Sequence, residues 1–476
     1  MAHYQTATRD KVPFVQKAAF GAGHLVNNLL PGSLGIFMFF LLTAFGMDPF
    51  LAGLLGGLPR LYDAITDPIM GFISDNTKSR FGRRRPYIFA GAILSGVLFA
   101  VLWQLDPQNS QTYNFWYFLI LSLVYLTGNT IFSTPLIGLG YEMTPDYNER
   151  TRLMAFSQTL GQVAWMIVPW FWVLIANPNL FETQAIGVRR LSVVVGAVCM
   201  LLGILPAIFC KGIDASKMEN RKEITFRTLF SNLKDLLKGI VQVSKNKPFM
   251  KLCAATFLVF NGFQMVASFS YFIIVFYLFK GDYGLTGNWP AWFSTVSAVV
   301  TAFLVIPVIT AISNKVGKRN AFLISTAISI LGYGLKWWGF NPEIPWLMFM
   351  PIPLMSFGIG GLFTLMMSMT ADVCDLDELY NGMPRKEGTF GAIYWWMVKL
   401  GQALALVLGG LVLKLVGFDQ NATVQAAETI TRLRIADVSI PALTAFIAIL
   451  VMWKYDLTEA KAREIKTELE SRRGVL

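Results

Sequence analysis

Apolar runs of about 20 residues follow one another along nearly the whole of this 476-residue chain, and each is long enough to cross a bilayer as a helix. A chain built this way has one fold class open to it, the polytopic helical membrane protein. Strands of an outer-membrane barrel would alternate polar and apolar residues instead. Only 14% of the residues are charged, against about 25% in soluble domains. Twelve spans are predicted, at about 18–45, 49–74, 87–105, 114–141, 151–177, 188–210, 249–279, 288–313, 321–340, 345–371, 388–417 and 433–454. The polar stretch 211–248 divides them into two sets of six. The predicted organisation is therefore a six-helix bundle over 1–210, a cytoplasmic central loop over 211–248, a second six-helix bundle over 249–455, and a charged cytoplasmic tail over 456–476. Residues 1–17 are polar and mixed in charge, unlike a cleavable signal peptide.

The net charge of +11 would suggest nucleic acid in a soluble protein. Here the basic residues set orientation instead. With the N-terminus inside, the cytoplasmic segments hold 31 of the 40 Lys and Arg, as the positive-inside rule requires. Both termini are thus expected in the cytoplasm of a multi-pass protein of the cell's inner (plasma) membrane, with no nucleic-acid partner. Seven basic residues fall at outer helix ends, Lys336 and Arg434 among them. The four cysteines (Cys199, Cys210, Cys253, Cys374) lack metal-ligand spacing.

Two carboxylates stand out. Asp63 and Asp67 lie one turn apart in the second span, with Arg60 on the same helical face. A carboxylate at bilayer depth costs roughly 2.5–3.5 kcal/mol, and such residues mark ion pathways or partners in the bundle interior. The functional reading is a cation-coupling site. The other reading is an ion pair that ties two helices.

The two halves echo each other. The loop after span 2 runs from Ser74 and Asp75 through Arg80, Gly82, Arg83, Arg84 and Arg85 to Pro86. The loop after span 8 contains Lys315, Gly317, Lys318 and Arg319. Short basic loops six spans apart are what a repeated transporter fold produces. Asp75, Arg80 and Arg83 read as a gate latch. Glu142 and Asp372, at the cytoplasmic ends of spans 4 and 10, read as gate ion pairs with Arg150 and Arg385.

The stretch Tyr62-Asp63-Ala64-Ile65-Thr66-Asp67-Pro68 resembles the second-helix motif of the glycoside–pentoside–hexuronide:cation symporters, the melibiose permease-like branch of the major facilitator superfamily. Phe20-Gly21-Ala22-Gly23, Thr144 to Thr151, Ala371 to Asp375, Arg385 to Gly388, and Lys399-Leu400-Gly401 resemble the same family, so the likeness covers almost the whole chain. It implies an all-α, twelve-helix major-facilitator fold of two six-helix bundles. It also implies a coupling-ion site at Asp63, Asp67 and Thr130, with Lys399 as counter-charge and Arg60 as tuning partner. Thr66 and Ser133 stand where the family has an asparagine and a third acid. Those changes remove oxygen ligands and negative charge, so H+ and Na+ both stay open, with Na+ at Asp63 and Asp67 as the metal reading. The family's charged sugar-binding positions fall on Asn27, Asn28 and Gln158, and its aromatic platform on Ile137. Neutral amides can still bond hydroxyls in both directions. His24, Tyr394, Trp395, Asn261 and Gln264 are further candidates for the substrate site, with Trp396, Trp292 and Tyr271 as other aromatics.

The expected function is symport of a sugar, glycoside or uronide with H+ or Na+ by alternating access. The protein is expected to act as a monomer without a cofactor, and not as an enzyme, since no nucleophile–base set or phosphate-cradling loop is present. The alternatives are symport of a lysolipid or other amphiphile and, more remotely, a non-transporting membrane sensor.

Overall fold

The computed structural model describes residues 11–144, 147–212, 244–381 and 387–473, with isolated positions between 224 and 241. The side chains of some helical residues, Arg150 and Gln158 among them, lie outside the description. Every element among the described residues is helical or a connection between helices.

The chain divides into two compact units, Met1–Leu233 and Lys234–Leu476. The first contains α1 (Phe14–Thr43), α2 (Pro49–Asn76), α3 (Arg85–Leu102), α4 (Gln111–Glu142), α5 (Tyr147–Ile167), α6 (Trp170–Ala176), α7 (Gln184–Gly203) and α8 (Leu205–Phe209). The second contains α9 (Lys247–Phe272), α10 (Tyr283–Thr286), α11 (Trp289–Val300), α12 (Ile306–Val316), α13 (Lys318–Gly339), α14 (Ile352–Asn381), α15 (Glu387–Leu415), α16 (Ala427–Trp453) and α17 (Glu459–Arg473).

Local chemistry sets the helix starts. Asp48 accepts from the backbone N–H groups of Phe50 and Leu51, ahead of a proline at the first helical position of α2. Ser110 caps α4 through the N–H of Tyr113. Prolines also divide predicted spans. Pro169 separates α5 from α6, and Pro206 sits in the short α8 that follows α7. Single π-turns interrupt the seventh and eighth spans at Ile273–Leu278 and Thr301–Val305.

Ten described helical segments are long and apolar enough to cross a membrane. α2 and α13, with 28 and 22 residues, fall at the second and ninth predicted positions. Their polar residues keep them below that apolar threshold. Within the first unit α1 packs on α5 and α7, while α3 packs on α4 and α7 and α2 packs on α4. α1 meets α2 and α4 only sparsely. Gly96 and Gly196 let α3 and α7 touch backbone to backbone, since a Cβ on either would collide with the other's carbonyl.

The predicted polar tail behaves differently from expectation. Residues Glu459–Arg473 form a helix that packs against α14, and Leu457 and Ile465 join the buried core of the second unit. Its apolar residues are few but spaced to face that core.

Candidate functional site

The 28-residue α2 carries Asp63 at its midpoint, with Thr66 and Asp67 within the next turn. α4 carries Thr130 and Thr134 one turn apart. The α2–α4 seam brings these five side chains together. The Thr130 hydroxyl lies 3.0 Å from Asp63 Oδ1, 3.2 Å from Asp67 Oδ1 and 3.3 Å from Thr66 Oγ1. Thr134 donates to Asp67 Oδ1 at 3.4 Å, and Thr66 donates to the Asp63 carbonyl at 3.2 Å. Tyr62 and Thr127 extend the polar seam with a hydroxyl–hydroxyl bond of 2.9 Å. Asp63 is 6% exposed, and Asp67 is half-buried.

One hydroxyl has one proton. Thr130 therefore donates to one of its two carboxylates at a time, while Asp67 also accepts from Thr134. Proline sharpens the seam. Pro68 and Pro135 have no N–H, so the carbonyls of Ala64 and Ile131 lose their helical partners beside the cluster. The donors are all oxygen, which suits a hard cation or a proton rather than a transition metal. Among the described residues no three of His, Cys, Asp and Glu come together as a metal cluster. Arg60 is half-buried, one turn before Asp63 on the same face of α2, and Ser133 is half-buried on α4.

In the same unit Asn28 stands at the midpoint of the 30-residue α1. Its amide nitrogen donates to the His24 carbonyl at 2.8 Å, and its oxygen accepts from the Trp165 indole N–H of α5 at 3.0 Å. Asn27 is half-buried. The His24 ring sits edge-on to Phe20 with centroids 4.7 Å apart, and its Nε2 is buried with no partner.

The second unit places its candidates differently from one another. Lys399 is half-buried on α15, one turn after Trp395 on one helical face. Trp395 is 48% exposed and lies against Phe363 with centroids 6.3 Å apart. Tyr394 is fully buried in the unit's core, away from that face. Asn261 is buried as well and donates to the Gly401 carbonyl at 3.2 Å, a tie between α9 and α15. Gln264 is half-buried one turn further on. Tyr271 bonds the Ser294 hydroxyl at 3.0 Å, and Trp292 and Trp396 are exposed.

At the ends of the spans, Glu142 pairs with both Arg83 and Arg84, and Arg84 also reaches Asp75 at 2.5 Å. Arg83 donates to the Asp75 carbonyl at 3.3 Å. Arg80 stands outside this cluster with its guanidinium 4.8 Å over the Phe81 ring. The second unit repeats the arrangement. Lys318, at the start of α13, binds both carboxylate oxygens of Asp372 on α14 at 2.8 and 2.6 Å. Among the described residues, then, Glu142 meets Arg83 and Arg84, and Asp372 meets Lys318. The side chains of Arg150 and Arg385, the partners expected from sequence, lie outside the described residues, as does that of Gln158.

Sequence reasoning missed several members. Thr134 was signalled only by its i, i+4 spacing from Thr130. Arg84 stood in the loop read as a gate latch and Lys318 in the loop that echoes it. The Lys336–Asp437 pair gave a single signal, an acid inside the twelfth span. Its Nζ–Oδ2 distance is 2.6 Å, and the two side chains are 1% and 2% exposed. Lys336 also donates to Ser270 Oγ at 3.0 Å, so a residue assigned to an outer helix end is instead sealed inside the unit.

The family described as MFS/sugar transport protein matches residues 19–459. A glucuronide carrier protein homolog of Escherichia coli K12 is 26% identical over 467 residues, covering 96% of this chain and 95% of its own length. A sodium-dependent lysophosphatidylcholine symporter of Gallus gallus is 23% identical, covering 98% of this chain and 91% of its own. The crystal structure of a nucleoside transporter shares the fold with a TM-score of 0.66 at 14% identity, over 92% of this chain and all of that one. Its length of helix, its two compact units and its family match together make this chain a member of the MFS/sugar transport family, an all-α membrane transporter with the major-facilitator fold and not an enzyme.

Proposed function

We propose that this protein couples the movement of a proton or sodium ion to uptake of a sugar, glycoside or uronide by alternating access. The observation that carries the reading is the seam in which one hydroxyl, Thr130, serves two mid-helix carboxylates, Asp63 and Asp67. Fixed acids at bilayer depth are costly, and a site that gains a cation offsets that cost. Binding of the cation then favours the conformer that accepts the solute, which is the thermodynamic basis of coupling. Lys399 acts as the counter-charge and Arg60 tunes the α2 acids. On the substrate side, Asn27, Asn28, Gln158 and His24 supply neutral hydrogen bonding, and Trp395 supplies an aromatic face on the Lys399 side of α15. Tyr394, Asn261 and Gln264 take supporting places, with Asn261 holding α15 to α9. The acid–base pairs at Glu142 and Asp372 close the cytoplasmic ends of the spans, with both termini on that side of the inner membrane and the monomer as working unit.

The family's sugar-transport description and the glucuronide carrier homolog support a hydroxylated substrate. The sodium-dependent lysophosphatidylcholine symporter, similar over 98% of this chain, favours an amphiphile as second reading. Counterflow in vesicles decides, using labelled glucosides, galactosides, xylosides, glucuronides and a lysophosphatidylcholine, with and without sodium at two pH values. Exchange of a sugar that a proton or sodium gradient converts into accumulation supports the proposal. Exchange of the lysolipid alone replaces it with the second reading.

A further inference from the structure

The Trp165 indole of α5 contacts an amide at the middle of α1, Asn28. Its N–H is committed to Asn28 Oδ1 at 3.0 Å, yet 43% of the side chain is exposed. A tryptophan in the membrane's aromatic belt offers its N–H to the headgroup layer. Trp165 does the opposite. It bonds a residue at the midpoint of α1, level along its own helix with Asp63 at the midpoint of α2. The N–H bond ties the indole to Asn28 while 43% of the side chain stays exposed.

Asn28 is fixed in turn. A side-chain amide has two N–H donors and two acceptor lone pairs on its oxygen. The His24 carbonyl takes one donor and Trp165 takes one lone pair. One N–H and one lone pair remain, enough to bond a hydroxyl as donor and as acceptor. Gly161, one turn before Trp165, keeps this geometry open, because a Cβ there would stand 2.8 Å from Asn28 Nδ2. The α1–α5 seam thus holds a part-exposed indole beside an amide with bonding capacity to spare. Carbohydrate rings offer the matching pair of surfaces, a band of hydroxyls and an apolar C–H face.

We propose that Trp165 is the stacking platform of a carbohydrate-ring subsite in the first unit, with Asn28 binding the ring's hydroxyls. The proposal rests on the sugar-transport reading above and adds to it the surface that recognises the ring. Stacking requires C–H bonds on one face, so epimers that differ in an axial hydroxyl bind this surface unequally. Trp165 sets that preference. The α2–α4 seam, which holds the cation, does not.

The test uses the full-length protein in vesicles and the best-transported pair of epimeric glycosides from the counterflow panel. Trp165→Leu is expected to raise KM about tenfold or more and to bring the two epimers' KM values together. Trp165→Phe keeps a ring and loses the N–H; KM is expected to rise about threefold, with the epimer ratio retained. Cation binding measured in the absence of sugar is expected to be unchanged in both. A purely structural tie between α1 and α5 would lower thermal stability and leave the epimer ratio alone, and that result would overturn the proposal. Should Trp165→Leu fail to reach the membrane, the wild-type protein provides the reading through oxidation of Trp165 by N-bromosuccinimide, followed by peptide mass spectrometry. Protection by saturating glycoside is expected, and full oxidation in its presence overturns the platform. Transport of no sugar in the panel would remove the sugar reading and this proposal together. An unchanged epimer ratio in Trp165→Leu alongside normal transport removes this proposal only.

Discussion

Replacing Lys336 by Met would leave Asp437 as a buried carboxylate with its ammonium partner gone. The structure sets the magnitude. The two side chains are 1% and 2% exposed and meet at 2.6 Å, and Asp437 Oδ1 is buried with no partner of its own. Lys336 further loses its bond to Ser270. Arg434 lines the same space, but its guanidinium is occupied by the Trp337 carbonyl at 2.5 Å and the Tyr277 and Trp337 rings at 4.1 and 4.3 Å. Breaking a buried pair by removing one partner costs about 3–5 kcal/mol, whereas replacing both partners by apolar groups of similar volume is often neutral. Lys336→Met and Asp437→Leu alone are each expected to destabilise the protein by about 3–5 kcal/mol, and the double variant by about 1 kcal/mol or less. The assay is denaturant unfolding of purified protein in one detergent, run as a double-mutant cycle. A double variant as unstable as the sum of the singles would refute the pairing. Singles within about 0.5 kcal/mol of wild type would refute the burial.

Two further predictions concern single hydrogen bonds. Thr130→Val removes the hydroxyl shared by Asp63 and Asp67. With its oxygen counted among the ion's ligands, the loss is expected to raise the half-saturating concentration of the coupling ion, H+ or Na+, about ten- to a hundredfold, while Thr130→Ser stays close to wild type. Equal half-saturation in Thr130→Val and wild type would take Thr130 out of the ion site. Asn261→Leu removes the buried tie to the Gly401 carbonyl and is expected to cost about 1 kcal/mol of stability with KM unchanged. A raised KM at unchanged stability would place Asn261 in the substrate site instead.

The parts of this molecule that were legible in the sequence are those written into local spacing. Asp63 and Asp67 declared themselves because acids one turn apart in an apolar helix have few uses. The spans declared themselves by length, although α2 and α13 are diluted by polar residues such as Asp63, Asp67 and Lys336. What stayed hidden depends on contacts distant in the chain. A threonine in a span most often bonds its own helix, so the i, i+4 spacing of Thr134 from Thr130 was a weak signal. Sequence proximity points Glu142 to Arg150, whereas Arg83 and Arg84, which the fold brings to it from the loop before α3, are about 60 residues away in the chain. Lys336 lies near a helix end where a basic residue ordinarily reaches the interface, and only the packing of α13 on α16 exposes it to Asp437. Neighbouring residues Tyr394 and Trp395 point about 100° apart on a helix. Which of them enters the core was decided by tertiary packing. The tail's Leu457 and Ile465 were too few to mark a buried face until α17 was seen against α14.

The most direct measurement compares gradient-driven accumulation with counterflow in vesicles carrying Asp63→Asn or Asp67→Asn protein. Amide replacement keeps the size of each side chain and removes the charge that a cation would neutralise. Loss of proton- or sodium-driven accumulation, with carrier-mediated exchange of the same sugar still measurable, is the predicted result. Accumulation at the wild-type level in both variants would contradict the claim that these α2 carboxylates couple the ion to the solute.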